Sequence, residues 1–84
     1  MDLKASFDEA VKRVQDLDYR PSNENLLKLY GLFKQSIEGD VRSERPGGFD
    51  FKGIAKYDSW ASLRGTTQEE AMQSYIDLVL ELSK

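Results

Sequence analysis

The 84-residue chain contains no cysteine and no histidine. The first absence excludes disulfides and thiolate metal sites, and it fits a reducing compartment. The second removes the commonest general base near neutral pH and the commonest metal ligand. A serine or threonine nucleophile would then need some other activating base. Long apolar runs are also missing. The longest is Leu78-Val79-Leu80, far short of the roughly 20 residues of a membrane-spanning helix. The opening stretch, Met1-Asp2-Leu3-Lys4-Ala5-Ser6-Phe7-Asp8-Glu9, has no apolar centre and does not read as a secretory signal. Excess positive charge is lacking too: 15 acidic against 12 basic residues give a net charge of −3. A nucleic-acid binder is usually basic, so no nucleic-acid partner is expected. These absences point to one small domain, residues 1–84, with a modest core and a cytoplasmic location.

What is present is helical periodicity. Residues 6–17 carry Phe7, Ala10, Val11, Val14 and Leu17 on one stripe that Leu3 also joins, and Ser6 with Glu9 forms a capping-box pattern. Pro21 breaks this segment. Residues 23–38 follow, capped by Ser22 or Asn23, with Leu26, Leu29, Tyr30, Phe33 and Ile37 inward and Gly39 as the stop. Residues 39–50 read as a long loop. Such a loop either only joins two parallel helices or also carries function. A third segment spans about 51–63, with Ile54, Tyr57, Ala61 and Trp60 facing inward and Gly65 beyond its end. Thr67 with Glu70 makes a capping box for the last segment, which runs to about residue 83. Its stripe is Ala71, Met72, Tyr75, Ile76, Val79 and Leu80. No segment alternates with period two, so the expected class is all-α, a four-helix bundle.

The basic residues Arg42, Arg45, Lys52, Lys56 and Arg64 crowd the middle of the chain, which leaves room for an anionic ligand. Tyr30 and Lys34 are four apart, as are Lys52 and Lys56, so each pair shares a helix face. For a lysine pair a solvated face is the commoner explanation, and Asp50 and Asp58 are near enough in sequence to compensate. The sharper explanation is a phosphate monoester, which accepts several charge-assisted hydrogen bonds from lysine and tyrosine. Aromatic residues gather in the same region. Most belong to the core of so small a domain; two or three are free to line a groove.

Two stretches carry more information than any of these patterns. One is Arg45-Pro46-Gly47-Gly48-Phe49-Asp50-Phe51-Lys52-Gly53-Ile54-Ala55-Lys56-Tyr57-Asp58-Ser59-Trp60-Ala61-Ser62-Leu63-Arg64-Gly65-Thr66, and the other is Tyr30-Gly31-Leu32-Phe33-Lys34-Gln35. Together they closely resemble the signature of the acyl-CoA-binding protein family, small cytosolic carriers of long-chain acyl-CoA thioesters. The resemblance covers about residues 7–82 without a gap. It implies an up-down-down-up bundle whose middle helices are joined by the long loop. It implies that the acyl chain lies in a groove on the second and third helices, with the nucleotide folded over it. By motif position, Tyr30, Lys34 and Lys56 would meet the ribose 3′-phosphate, Lys52 would be a further head-group contact, and Tyr75 would match the tyrosine of the last helix. Ala10 and Val11 would flank the adenine. Phe33 would stack on the base, and Leu27 with Ile54 would line the acyl groove.

Three positions depart from the family pattern. Phe33 stands where many members have tyrosine, Gln15 where many have lysine, and Ile54 where lysine is common. A lost charged hydrogen bond would weaken head-group binding by about 1–3 kcal/mol. Tyr57 stands at a position often occupied by tryptophan. The function implied is a monomeric, non-catalytic carrier with acyl-CoA as its ligand, no cofactor and no metal. Contact with membranes or acyl-CoA-using enzymes would be at most transient. The alternative is a helical interaction module that binds a partner's amphipathic segment in the same groove. An acyl-thioester hydrolase or transferase would need a nucleophile with an orienting base, and no convincing pair is present.

Overall fold

The computed structural model describes residues 2–84, which form four helices: α1 (Leu3–Gln15), α2 (Asn23–Glu38), α3 (Phe51–Ala61) and α4 (Gln68–Leu82). Each begins on a side-chain cap that satisfies an otherwise orphaned N–H. Asp2 accepts from the Ala5 N–H at 2.7 Å, Ser22 from Asn25 at 3.2 Å and Asp50 from Gly53 at 3.0 Å. Thr67 and Glu70 form the reciprocal capping box expected of them.

The start of α1 corrects the sequence expectation. The helix begins one turn before Ser6, because Asp2 is itself a strong cap and Leu3 extends the apolar stripe to Phe7. It ends at Gln15, two residues before Leu17, which still packs on the core. The third helix likewise stops at Ala61 rather than Leu63. Gly65, at φ +90°, completes the turn that follows.

In space the helices lie in the order α1, α4, α2, α3. α4 packs on both α1 and α2, and α2 packs on both α4 and α3. Cross-helix contacts give the directions. The start of α4 meets the end of α2, where Gln68 donates to the carbonyls of Ser36 and Ile37. Tyr19, just past α1, donates to the Leu82 carbonyl at the end of α4 at 2.6 Å. The arrangement is up-down-down-up. The core is Phe7, Ala10, Leu29, Tyr75, Val79 and Leu82, with Phe33 and other half-buried residues against it. Phe7 meets Tyr75 edge-on at 5.1 Å and stacks on Phe33 at 6.0 Å between ring centroids.

Two residues assigned to inner stripes are exposed instead. Ile37 sits in the last turn of α2, where the buried positions are taken by Gln35 and Ser36. Leu80 lies at the rim of a shallow groove with Ser6, Glu9 and Arg13. Trp60 is buried, and Ile54, Tyr57 and Ala61 are half-buried.

Gln35 ties the long loop to the helices. Its Nε2 donates to Asp40 Oδ1 at 2.8 Å and to the Thr66 carbonyl at 2.7 Å. Its Oε1 accepts from Trp60 Nε1 at 3.1 Å, and the same Trp60 N–H reaches the Gly39 carbonyl at 2.9 Å. Val41 is buried, and Arg45 grips Asp58 on α3 through two hydrogen bonds of 2.9 and 3.0 Å. The loop is therefore pinned at its start and at its middle.

Candidate functional site

α2 and α3 approach closely at Gly31. A Cβ there would lie 2.8 Å from both the carbonyl oxygen and the Oγ of Ser59. The Ser59 hydroxyl donates to the Leu27 carbonyl at 2.6 Å, which clips the two helices together. On the N-terminal side of this clip they part, and a cavity of about 400 Å³ opens between them. Leu26, Leu27 and Ala55 are its apolar residues, Tyr30 and Asn23 are its polar neutral ones, and Arg20, Lys52 and Lys56 supply charge. The Lys56 ammonium stands 5.0 Å from the centre of the Tyr30 ring, a cation–π distance.

Tyr30 and Leu26 are shared with a second cavity of about 350 Å³ on the α1 side. Val11, Val14, Gln15, Pro21, Leu29, Phe33 and Tyr75 complete it. Tyr75 is held between Phe7 and Phe33, and burial pushes its phenol pKa upward, so the hydroxyl stays protonated near neutrality. The two cavities therefore adjoin at Tyr30 and Leu26.

Among the described residues Arg20, Lys52 and Lys56 form no ion pair. The contact of Arg20 is a neutral one, 3.1 Å to Asn23 Oδ1. Asp58, a possible neutraliser by sequence, is held by Arg45, whose hydrogen bonds keep its carboxyl below the usual carboxylate range. Asp50 is committed to the α3 cap. Three uncompensated cations around an apolar floor repel one another and favour an anion with an apolar tail.

The structure thus brings Tyr30, Lys52, Lys56 and Leu27 together, with Val11, Phe33 and Tyr75 next door. It does not bring Lys34 to them. Lys34 pairs with Glu38, stands 4.8 Å from the centre of the Trp60 ring, and lines a different, polar cavity with Asp40, Arg42 and Ser43. Ala10 is buried against α4 beside Ile76 and Val79. Ile54 is half-buried and not among the residues lining the α2–α3 cavity; Ala55 is. Arg20 and Ala55 are not singled out by the sequence, and Leu26 is expected there only as an inward residue of the second segment. Ala55 was accessible from spacing, because a face that contains Lys52 and Lys56 also contains position 55. Arg20 lies in a turn with no periodicity to place it. The buried Ser36 and half-buried Ser59 hydroxyls both donate to main-chain carbonyls, at 2.7 and 2.6 Å, rather than to a base.

The sequence profile described as acyl CoA binding protein matches residues 4–79. The chain belongs to the acyl-CoA-binding protein family. It is 47% identical to acyl-CoA-binding protein homolog 1 of Caenorhabditis elegans over 80 residues, covering 95% of this chain and 93% of that one. It is 46% identical to the acyl-CoA-binding protein of Brassica napus over 82 residues, covering 98% and 89%. Among solved structures, acyl-CoA-binding protein 2 of Oryza sativa superposes with a TM-score of 0.92 at 41% identity, covering 96% of this chain and 90% of that one. The family member from Moniliophthora perniciosa gives a TM-score of 0.89 at 45% identity, with 98% and 80% covered. The four-helix arrangement described above is the fold of this family.

Proposed function

We propose that residues 1–84 act as a single, monomeric, non-catalytic carrier domain for medium- to long-chain acyl-CoA thioesters, buffering and delivering them in the cytoplasm. The observation that carries this reading is the set of three unpaired cations, Arg20, Lys52 and Lys56, around the apolar floor between α2 and α3. The acyl chain lies along Leu26, Leu27 and Ala55. The phosphates meet Lys52, Lys56 and the Tyr30 hydroxyl, and the adenine stacks against Phe33 beside Val11 and Tyr75. Lys34 joins the head group only by exchanging Glu38 for phosphate, a swap between two charged partners. Ala10 acts from below, by letting α1 sit close to α4.

Family membership supports the ligand class. Elementary energetics supports the need for both ligand halves. Each buried methylene contributes about 0.8 kcal/mol, so a chain of roughly 14 offers on the order of 10 kcal/mol before ordering costs. The head group adds charge-assisted hydrogen bonds that a free fatty acid lacks.

The test is calorimetric titration with palmitoyl-CoA, beside CoA and palmitate. The thioester should bind one-to-one and far more tightly than either part. Lys56→Ala should weaken it by about tenfold, as loss of one charged hydrogen bond would. Lys34→Ala should cost less, because the wild-type residue must first leave Glu38. Palmitate binding as tightly as palmitoyl-CoA would overturn the reading.

A further inference from the structure

Phe49 and Phe51 are the most exposed large apolar residues described, at 88% and 70%. Exposed apolar residues scattered singly on a surface are ordinary. These two stand together, edge to face, with ring centroids 6.1 Å apart. Their backbone is fixed: the Phe51 N–H donates to the Phe49 carbonyl at 2.9 Å, Asp50 between them caps α3, and Gly48 makes the turn before them at φ +67°. The pair is a built projection, not a slack loop tip.

Its surroundings are basic within an acidic protein. Residues 42–56 hold four basic residues and two acidic ones, although the whole chain carries −3; Arg45 is paired with Asp58, which leaves Arg42, Lys52 and Lys56. One of those acids, Asp50, is tied to the Gly53 N–H. Lys52 directly follows Phe51, and neither Lys52 nor Lys56 has an acidic partner among the described residues. Protruding aromatic rings beside unneutralised lysines match the two requirements of an interfacial anchor: apolar area for the acyl boundary and positive charge for anionic head groups. A partner helix would want a groove, whereas these two rings stand exposed and line no cavity described above.

We infer that Phe49 and Phe51 form a wedge that docks the protein on anionic lipid bilayers, with Lys52 and Lys56 against the head groups. Lys52 belongs to both the wedge and the α2–α3 cavity, so docking brings the cavity to the lipid surface. The docking stands on the wedge alone. Its use, transfer of an acyl chain between bilayer and cavity, rests on the carrier reading.

The test is flotation of the full chain with phosphatidylcholine vesicles, with and without phosphatidylserine. Binding should require phosphatidylserine and fall with salt. Phe49→Ser should weaken it by about tenfold, the effect of withholding one phenyl ring from the interface. That ring touches no core residue, so circular dichroism and palmitoyl-CoA affinity in vesicle-free solution should be unchanged. No vesicle binding, or equal binding by Phe49→Ser, overturns the inference. So does loss of palmitoyl-CoA affinity in Phe49→Ser with vesicle binding intact, which would make the ring part of the ligand site. Vesicle binding that depends on Phe49 in a protein that fails to bind palmitoyl-CoA would support the wedge and refute the carrier reading.

Discussion

Replacing Gly31 by alanine sets two opposing effects against each other, and the sign of the result decides between them. Alanine is the better helix former by about 1 kcal/mol in a helix interior, so on propensity alone Gly31→Ala stabilises α2. The α2–α3 contact argues the other way. The new Cβ would lie 2.8 Å from the carbonyl oxygen and Oγ of Ser59 and 3.0 Å from its carbonyl carbon. The carbonyl belongs to the α3 backbone and cannot swing aside. Either α3 shifts as a body, or the Ser59 hydroxyl gives up its bond to the Leu27 carbonyl. Overpacking of this kind costs about 1–3 kcal/mol, and the hydrogen bond about 1 more. The net expectation is a loss of about 2 kcal/mol. For a domain of this size that lowers Tm by about 8–16 °C. Thermal and urea unfolding, followed by circular dichroism and Trp60 fluorescence, measure it. Because α3 carries Lys52, Ala55 and Lys56, palmitoyl-CoA binding should weaken as well. A variant about 1 kcal/mol more stable than the wild type would refute the reasoning: the helices would then have slack at Gly31.

Two further outcomes follow from the polar contacts. Gln35→Leu should lower stability by about 2–4 kcal/mol, because it strands the Thr66 carbonyl and withdraws one partner each from Asp40 and Trp60; an unchanged urea midpoint would show that the network is dispensable. Stability should also fall in acid. Hydrogen bonds from Gln35 and the Gly65 N–H, from Arg45, and from Thr67 hold the carboxyls of Asp40, Asp58 and Glu70 respectively below their ordinary range. The unfolded chain therefore takes up protons first. The contribution is complete above the ordinary carboxylate value of about 4 and is lost as pH falls through the lower folded values. The urea midpoint should be flat from neutrality to about pH 5 and drop below about 4, with a shallower drop in Asp40→Asn; a midpoint that stays flat in strong acid would contradict this assignment.

Local signals in the sequence located most of the fold. Ser22 and Gly39 bracket α2 at its observed limits, and the Thr67–Glu70 box starts α4 where it begins. Such signals act within one turn, so they survive without tertiary information. α1 shows their limit: two caps competed, and the earlier one won because Leu3 added apolar surface. Ile37 and Leu80 failed for another reason. Periodicity assigns a face to a residue but not a depth, and both lie where neighbouring helices no longer cover them. The shared face of Lys52 and Lys56 was legible from four-residue spacing, while the groove beside them was implied by the family resemblance. The engagement of Lys34 elsewhere was not legible: its ammonium pairs with Glu38 and stands over Trp60, which is 26 positions along the chain. The role of Gly31 was equally hidden, since no local rule says that another helix will touch it.

Gln35 also rules out alternative alignments of the helices. One buried amide reads three separate stretches of chain at once: the loop at Asp40, the indole of Trp60 and the turn at Thr66. Sliding α3 along α2 by a single turn would keep much of the hydrophobic contact, because greasy surfaces are tolerant of register. It would also leave buried donors and acceptors facing carbon, a penalty larger than the modest net gain from making the bonds. The network therefore contributes less as glue than as a lock on alignment. It keeps Lys52 and Lys56 opposite Tyr30 rather than one turn away.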